Sequence, residues 1–226
     1  MKKKILYSII SLAALLLFNT MGTGYVTKSK TKNIEQEYNK GSLKFPTPGK
    51  KDPLKITIKK NKINIVWNIK FKGKNVKKKA YKTGKTYRNI IKAAIKSKWD
   101  NTYKIRGHKV SVTVKITESS KKNRSTIYFY NKKGIPNGLW SGGGHYGYMS
   151  LYTGDSRNNK SFTLRQFKRA AAHEFGHVAG VGYDGPATKN SIMCDPMGRY
   201  NGTGKAVNKD IKKVIDSYKK GSPQNW

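Results

Sequence analysis

Carboxylates are scarce in this chain. Among its 226 residues, 48 Lys and Arg stand against only 11 Asp and Glu, which gives a formal net charge of +37. AT-rich coding would explain much Lys, Asn, Ile and Tyr, but it would also favour Glu, which occurs only four times. The charge therefore indicates selection for an anionic partner, such as a cell-wall polyanion, lipid head groups, nucleic acid or an acidic protein. The alternative is a solvated coat that keeps the protein soluble.

Cysteine is almost absent as well. Cys194 is the only one, which excludes an intramolecular disulfide. A lone cysteine is more often a small buried residue than a reactive thiol, and we expect Cys194 to be buried. Because no cysteine lies near the N-terminus, the sequence also argues against a lipoprotein.

Long apolar runs are missing apart from one at the N-terminus. Residues 5–18 follow three lysines, have the length of a signal peptide, and are too few to cross a membrane comfortably. Gly22 and Gly24 offer cleavage positions. We therefore predict a signal peptide over residues 1–24 and a secreted, extracellular protein that associates with the cell wall through its charge. An uncleaved anchor helix is the alternative.

The rest of the chain predicts one α+β domain. Residues 25–53 are polar, with prolines and a glycine, and predict an irregular leader before a folded domain over 54–226. Helical spacing predicts a first helix over 87–99 and a last helix from Asn208 to Gly221. Alternating apolar residues predict strands over 54–58, 63–71, 110–116, 127–130 and 149–152.

A third helix, between these two, has clear boundary signals. Thr163 can cap its start, and Gln166 can complete a capping box. Phe162 and Phe167 occupy the positions of a hydrophobic staple. Gly180 can end the helix in a left-handed conformation. These signals predict a helix whose length and orientation are fixed locally.

This helix carries the sequence HEFGH at residues 173–177. His173 and His177 are four residues apart and so lie one above the other on one helix face. Imidazole nitrogens are good zinc ligands, and a catalytic zinc keeps one position for water. Glu174 could take a proton from that water and pass it to a leaving amine. The alternative is a pair of core histidines, although this motif seldom arises by chance.

Two histidines need a further ligand to complete a zinc site. No glutamate follows Glu174, which excludes zinc peptidases whose third ligand is a downstream helical glutamate. A helix that ends at Gly180 lets the chain turn back under the metal, which favours a ligand shortly after it. The candidates are Tyr183, Asp184, Asp195, Asp210, Asp216, His145 and His108.

HEFGHVAGVG, followed by SIM at residues 191–193, resembles the metzincin clan of zinc endopeptidases and, within it, the matrixins. Their pattern is HExxHxxGxxH and then a tight turn with a methionine beneath the metal. The resemblance implies that His173 and His177 are zinc ligands, that Glu174 is the general base, and that Met193 forms the hydrophobic floor. It also implies a metzincin-like α+β fold: a twisted mixed sheet carrying the first helix and the active-site helix, and a C-terminal helix after the Met-turn.

The sequence departs from the family at the third ligand. The position of the family's last histidine falls on Tyr183, and Asp184 lies one residue later. Glycines at 182 and 185 free the backbone to turn Asp184 toward the metal. Because a carboxylate is a better zinc ligand at neutral pH than a phenol, we expect Asp184 to be the third ligand, with Tyr183 as the alternative.

The resemblance also implies how substrate binds and how activity is controlled. An edge strand near Met149 and Leu151 would pair with an extended substrate. The cysteine switch that keeps matrixins latent is absent, because Cys194 is the only cysteine. Residues 25–53 are also short for a folded prodomain.

The sequence therefore predicts a secreted, single-domain zinc endopeptidase with no stable oligomer. Its partners would be protein or peptide substrates, together with an anionic cell-wall polymer or other polyanion on the basic surface. One alternative is a cationic binding protein on an inactive metzincin fold. Another is a zinc amidase that acts on cell-wall peptides.

Overall fold

The computed structural model describes residues 33–39, 53–120, 123–134, 137–141, 145–182, 191–194 and 204–220. The chain divides into two units at Lys32, and the first unit lies outside the described residues. The predicted signal peptide over residues 1–24 lies in that unit and therefore outside the described residues. In the part of the chain that is described, no helix is long and apolar enough to cross a membrane.

A mixed eight-stranded sheet forms the framework of the second unit. Its strands follow the order β3-β4-β2-β5-β7-β6, with β1 beside β2 and β8 beside β7. The four strands β4, β2, β5 and β7 run parallel, and the others join antiparallel. The strands are β1 Leu54–Lys59, β2 Lys62–Lys72, β3 Asn101–Ile105, β4 His108–Glu118, β5 Ser125–Gly134, β6 Asn137–Ser141, β7 His145–Asp155 and β8 Lys160–Ser161.

Among the described residues, four helices accompany the sheet: α1 Ile34–Asn39, α2 Tyr87–Trp99, α3 Leu164–Val178 and α4 Asn208–Lys220. The helices α2 and α3 pack side by side, and α3 also lies against β6 and β7. The ring of Phe175 on α3 lies 5.1 Å from Trp67 of the sheet and 5.3 Å from Trp99 of α2. The predicted α+β class with a mixed sheet is therefore confirmed.

Alternation along the strands decides which side chains face the helices. In β2, Ile63, Ile65, Trp67 and Ile69 are all fully buried, whereas the residues between them are exposed or half-buried. The same two-residue period holds in β4 and β5. One face of the sheet thus builds the core with the helices, and the other face carries polar and aromatic side chains.

The segment predicted to be an irregular leader contains the short helix α1. Ile34 is fully buried, and its backbone N–H donates to the Asn61 side chain at 2.9 Å. Glu35 accepts a hydrogen bond from the Lys60 N–H at 2.7 Å. These contacts with the β1–β2 turn stabilise a six-residue helix that would be marginal alone. The expectation of irregular structure was wrong at this point, because its cause is tertiary.

The sequence also misplaced the edge of the sheet. It predicted that residues 149–152 form an edge strand, but β6 lies outside β7, with Gly138 opposite Met149. The side chains of Met149 and Leu151 are fully buried. They therefore belong to the core rather than to a substrate-binding edge. Among the described strands, β6 is the edge on this side of the sheet.

Candidate metal centre

Helix α3 begins as the sequence predicts. The Thr163 hydroxyl oxygen accepts a hydrogen bond from the Gln166 N–H at 3.3 Å, and the Gln166 side chain accepts one from the Thr163 N–H at 2.9 Å. This capping box satisfies backbone donors that the helix itself leaves unpaired. Phe162 and Phe167 are both buried beside it. The start of the helix is therefore stabilised by both the capping box and the two buried phenylalanine side chains.

The C-terminal end of α3 is a glycine-terminated turn. Gly180 has a φ of +101°, a conformation that side chains oppose. Its N–H donates to the His177 carbonyl at 3.0 Å, and the Val181 N–H donates to the Gly176 carbonyl at 2.9 Å. This pair of bonds is the Schellman motif. It turns the chain sharply and leaves the Val181 carbonyl beside the last turn of the helix.

The two histidines of α3 converge on one point. The Nε2 atoms of His173 and His177 lie 3.2 Å apart. The Nδ1 of His173 donates to the Ile192 carbonyl at 2.8 Å, and the Nδ1 of His177 donates to the Val181 carbonyl at 2.9 Å. A carbonyl oxygen can only accept, so both Nδ1 atoms carry their proton. In these tautomers the Nε2 atoms are the ring nitrogens that carry no proton, and they are the atoms that can act as metal ligands.

This arrangement fits zinc. Two nitrogens bound to one tetrahedral zinc at about 2.0–2.1 Å would lie about 3.3 Å apart, close to the 3.2 Å between these Nε2 atoms. Histidine ligands commonly donate their other ring N–H to a backbone carbonyl, as both do here. Without a cation or a proton between them, the two facing lone pairs would repel. The two Nε2 atoms are therefore better suited to bind a metal ion than to face each other as uncharged core histidines.

Glu174 is the next residue after His173 and is 3 % exposed. A carboxylate at this depth lies within the protein rather than in bulk water. Its position on the helix keeps it beside the histidines, about 100° round the helix axis from His173. It is therefore placed to exchange a proton near the converging nitrogens and to remain shielded from solvent.

Met193 packs directly under this part of the helix. It is fully buried, and a Cβ built on Gly176 would come within 2.1 Å of its Sδ atom. The glycine inside HEFGH therefore makes room for the methionine sulfur. The turn that carries Met193 is closed by its own N–H, which donates to the Ser191 hydroxyl oxygen at 2.9 Å. Nothing in the sequence alone explained this glycine.

A buried carboxylate from α4 holds the Met193 turn. Both oxygens of Asp210 accept from the Ser191 hydroxyl, at 3.1 and 2.9 Å. One of them also accepts from the Val207 N–H at 2.7 Å. Burial raises the pKa of Asp210 to about 6, although these hydrogen bonds partly offset that rise. Since Ile192 lies inside the held turn, Asp210 helps to fix the carbonyl that orients His173.

Arg169 secures the other end of the turn. This arginine is 3 % exposed on α3, and its guanidinium donates to the Cys194 carbonyl. Cys194 is itself buried, as the sequence analysis predicted for a lone cysteine. The turn over residues 191–194 is thus attached to both α3 and α4.

The preferred candidates for the third ligand do not fall among the described residues. Tyr183, Asp184 and Asp195 lie outside them. Within the described ranges, no group of three His, Cys, Asp or Glu residues could hold a metal. Two of the weaker candidates are engaged elsewhere: Asp210 with Ser191, and Asp216 with Lys212. Asp184 and Tyr183 therefore remain the predicted choices.

Comparisons with protein-family models and with curated proteins found no match. No protein-family model matches the sequence, and no curated protein is significantly similar to it. The function of the chain must therefore be inferred from the chemistry of the site itself.

Proposed function

We propose that this protein is a secreted zinc endopeptidase of the metzincin type, in which HEFGH supplies two zinc ligands and the general base. The observation that carries the proposal is the convergence of two imidazole Nε2 atoms at 3.2 Å, each ring held by a backbone carbonyl. Core histidines would have no reason to direct two lone pairs at one point. The N-terminal sequence supports export, because it has the charge and length of a signal peptide.

The metal would be held by His173, His177 and a residue of the following loop, for which Asp184 is the proposed choice. A bound zinc would lower the pKa of water and polarise the carbonyl of a scissile peptide. The carbonyls of Ile192 and Val181 keep the rings in the tautomer that presents Nε2. These two hydrogen bonds would thus hold both rings in the orientation that a metal requires.

Glu174 performs the proton transfers in this proposal. Its carboxylate accepts a proton from the attacking water and returns that proton to the nitrogen of the leaving amine. Its burial keeps competing water away from the carboxylate. The same group therefore serves as base in the first half of the reaction and as acid in the second.

The edge strand β6 would align an extended substrate. It is the edge of the described sheet next to β7, and α3 packs against it. A peptide added to this edge would form backbone hydrogen bonds that do not depend on its side chains. This role replaces the one that the sequence had assigned to Met149 and Leu151.

The order of elements supports the family resemblance. Among the described elements from Leu54 onward, two strands, a helix and six further strands precede the histidine helix, and a methionine turn and a last helix follow it. The packing of Met193 against Gly176 agrees with the methionine floor that the resemblance implies. The open edge of β6 favours an extended peptide over a branched cell-wall peptide, so we place the amidase second.

The test is metal content and proteolysis of the purified chain. We expect about one zinc per chain and cleavage of casein that a chelator stops and added zinc restores. Glu174→Ala should retain the zinc and lose at least about a hundredfold in rate, the scale of general-base catalysis. His177→Ala should lose both. Glu118→Ala is the matched control, because Glu118 pairs with Arg88 and Lys92 in another part of the fold.

Three results would count against the proposal. Glu174→Ala with wild-type activity would show that the mechanism is wrong. A chain that binds zinc but cleaves only cell-wall peptides would be the amidase instead. A folded chain without zinc or hydrolytic activity would leave the inactive binding protein as the better description.

A further inference from the structure

The sheet face opposite the helices carries a cluster of tyrosines that the sequence did not reveal. Tyr128 and Tyr130 lie on β5, and Tyr148 and Tyr152 lie on β7. Tyr130 pairs with Tyr152 across the two strands, and Tyr148 lies opposite Thr126. We call these four residues the tyrosine face. Tyr128 and Tyr130 lie two residues apart along β5, so both of their rings point to the same side of the sheet.

The rings of the tyrosine face contact one another. Tyr130 and Tyr152 are stacked, with centroids 4.8 Å apart and planes inclined by 18°. Tyr128 lies parallel to Tyr130 at 6.5 Å and meets Tyr148 edge-on at 5.4 Å. Tyr148 is 40 % exposed and is the one large exposed hydrophobic side chain among the described residues. The cluster is therefore an ordered aromatic array that ends in a ring open to solvent.

Lysines are interleaved with these rings. The Nζ of Lys72 lies 5.4 Å from the centre of the Tyr128 ring, and the Nζ of Lys132 lies 5.7 Å from that of Tyr130. Lys70 is opposite Thr126 on the same face and is exposed. These distances are within the range of cation–π attraction. The array thus presents rings and positive charge together.

Two neighbouring cavities extend the positive charge. The first, of about 430 Å³, is lined by Tyr128 and Tyr130 together with Lys72, Lys74 and Lys132, and none of its described lining residues is acidic. The second, of about 640 Å³, shares Lys74 with the first. Its only acidic lining residue is Glu118, which already pairs with Arg88 and Lys92. An anion entering either cavity would meet little repulsion.

We propose that the tyrosine face and its lysines bind single-stranded nucleic acid. Such a polymer combines phosphates, which the lysines would contact, with planar bases, which can stack on tyrosine rings. A lipid head group or a polyol phosphate offers the charge without planar rings, so it would leave the aromatic array unused. A duplex hides its base faces in the stack. Charge and aromatic chemistry together therefore favour the single strand.

This surface is independent of the proposed metal centre. Phe129, which alternates with Tyr128 and Tyr130 on β5, points to the other side and contacts Phe167 of α3. The histidine helix thus packs on the opposite face of the same sheet. Nucleic-acid binding and peptide hydrolysis can be gained or lost separately, so the two proposals fail in different experiments.

The test is the fluorescence anisotropy of a labelled oligothymidine, with inorganic polyphosphate as the competitor that has charge but no bases. Tyr148→Ala should weaken oligothymidine binding at least about fivefold, the lower end of base stacking on an aromatic ring. Its affinity for polyphosphate should change less than about twofold. Tyr148→Phe keeps the ring and should bind oligothymidine like the wild type. Because Tyr148 is exposed, neither change should disturb folding.

The lysine contribution has a matched control. Lys70→Gln/Lys72→Gln should weaken binding and lower the salt dependence of log affinity by about 1.4, since each phosphate contact on a single strand contributes about 0.7. Lys209→Gln/Lys220→Gln removes the same charge from exposed positions on α4 and should change the slope much less.

Three outcomes would overturn the inference. Tyr148→Ala could bind oligothymidine as tightly as the wild type. It could instead weaken oligothymidine and polyphosphate equally, which would indicate a general polyanion surface. The two lysine pairs could also have equal effects, which would show that diffuse charge alone is responsible.

Discussion

At the residue scale, a single missing side chain makes room for the turn beside the proposed metal centre. Gly176 lies between the two histidines in sequence, and the Met193 sulfur occupies the space that a Cβ would need. A glycine inside a helix is less favourable than alanine by roughly 0.8–1.0 kcal/mol. The chain accepts this cost because the methionine must lie against the helix for its turn to present the Ile192 carbonyl to His173.

Gly176→Ala should therefore destabilise the protein although it improves helix propensity. The added methyl group would lie 2.1 Å from the Met193 Sδ, and overpacking of a buried site costs about 1–3 kcal/mol. We expect a net loss of about 1 kcal/mol or more in the free energy of unfolding, measured by chemical denaturation. In a Met193→Ala background the same change should cost less or stabilise. Equal effects in both backgrounds would show that the sulfur is not the obstacle.

Also at the residue scale, two substitutions distinguish Asp184 from Tyr183 as the third metal ligand. If Asp184 binds the metal, Asp184→Ala should lower zinc affinity by orders of magnitude, whereas Tyr183→Phe should leave it nearly unchanged. A phenolate ligand predicts the opposite result. The measurement is zinc stoichiometry after dialysis of both variants against a weak chelator. If both retain zinc, Asp195 becomes the next candidate, because it follows Met193 by two residues.

At the scale of secondary-structure elements, the carboxylate of Asp210 connects two segments that are distant in the chain. Asp210 reaches back to the Val207 N–H at the start of α4, as an acidic third residue of a helix often does. It also binds Ser191, which lies 19 residues earlier in the chain. The start of the last helix and the Met193 turn therefore depend on the same side chain.

The raised pKa of Asp210 predicts how stability depends on pH. Burial favours the protonated form in the folded protein, with a pKa of about 6 against an ordinary 3.8. The contribution of this group to stability is thus fully present below about pH 4 and is lost as the pH rises through about 6. Relative to Asp210→Asn, the wild type should lose up to about 3 kcal/mol between pH 4 and pH 7.

Denaturation of both proteins at several pH values measures this difference. Asp155→Asn is the control, because Asp155 is also buried but hydrogen bonding to Arg157 lowers its pKa. Stability from Asp155 is lost only as the pH falls through that lowered value, so its difference from the wild type should stay nearly constant from pH 4 to 7. A constant difference for Asp210→Asn as well would contradict the prediction.

Positive charge dominates at the scale of the whole molecule. A net charge of +37 on 226 residues gives a field that attracts any polyanion, whatever its shape. Within the described residues, several of the few carboxylates already have partners, such as Glu118 with Arg88 and Lys92. Lys and Arg outnumber Asp and Glu by 37, so the chain's own carboxylates can balance only a small part of the positive charge.

Attachment to an anionic polymer should depend strongly on salt. We expect the protein to adsorb to a cell-wall polymer or to immobilised heparin at low ionic strength and to elute as salt rises. Exposed charges are screened within about 8 Å at physiological ionic strength, which weakens this attraction. A sedimentation or column assay measures it. Binding that is indifferent to salt would show that the charge is only a solubility coat.

Features that depend on near neighbours in the chain were predicted well. The alternation in β2 and β4, the buried stripe of α2 and the boundaries of α3 all agree with the structure. Each of these features arises from the strand period, the helix period or a cap within a few residues, so the sequence contains its cause. The convergence of His173 and His177 belongs to the same group, because helical geometry alone places residues four apart on one face.

Other features escaped prediction because their cause lies far away in the chain. The edge strand β6 contains few apolar residues and is defined only by its pairing with β7. Helix α1 is too short to be stable alone and depends on the β1–β2 turn. The leader and edge-strand interpretations were wrong for this reason.

The sequence by itself indicated which residues carry the proposed chemistry: two histidines and a glutamate on a capped helix. Only the tertiary structure decided what orients His173 and what packs against Gly176, since the Ile192 carbonyl and the Met193 sulfur belong to a turn 17 or more residues away. Asp210 of α4 holds that turn through Ser191. The tertiary structure also gathered four tyrosines from two strands into one face. The physical reason is that local periodicity fixes which side of an element a residue occupies, whereas sheet pairing and helix packing decide which distant residue it meets.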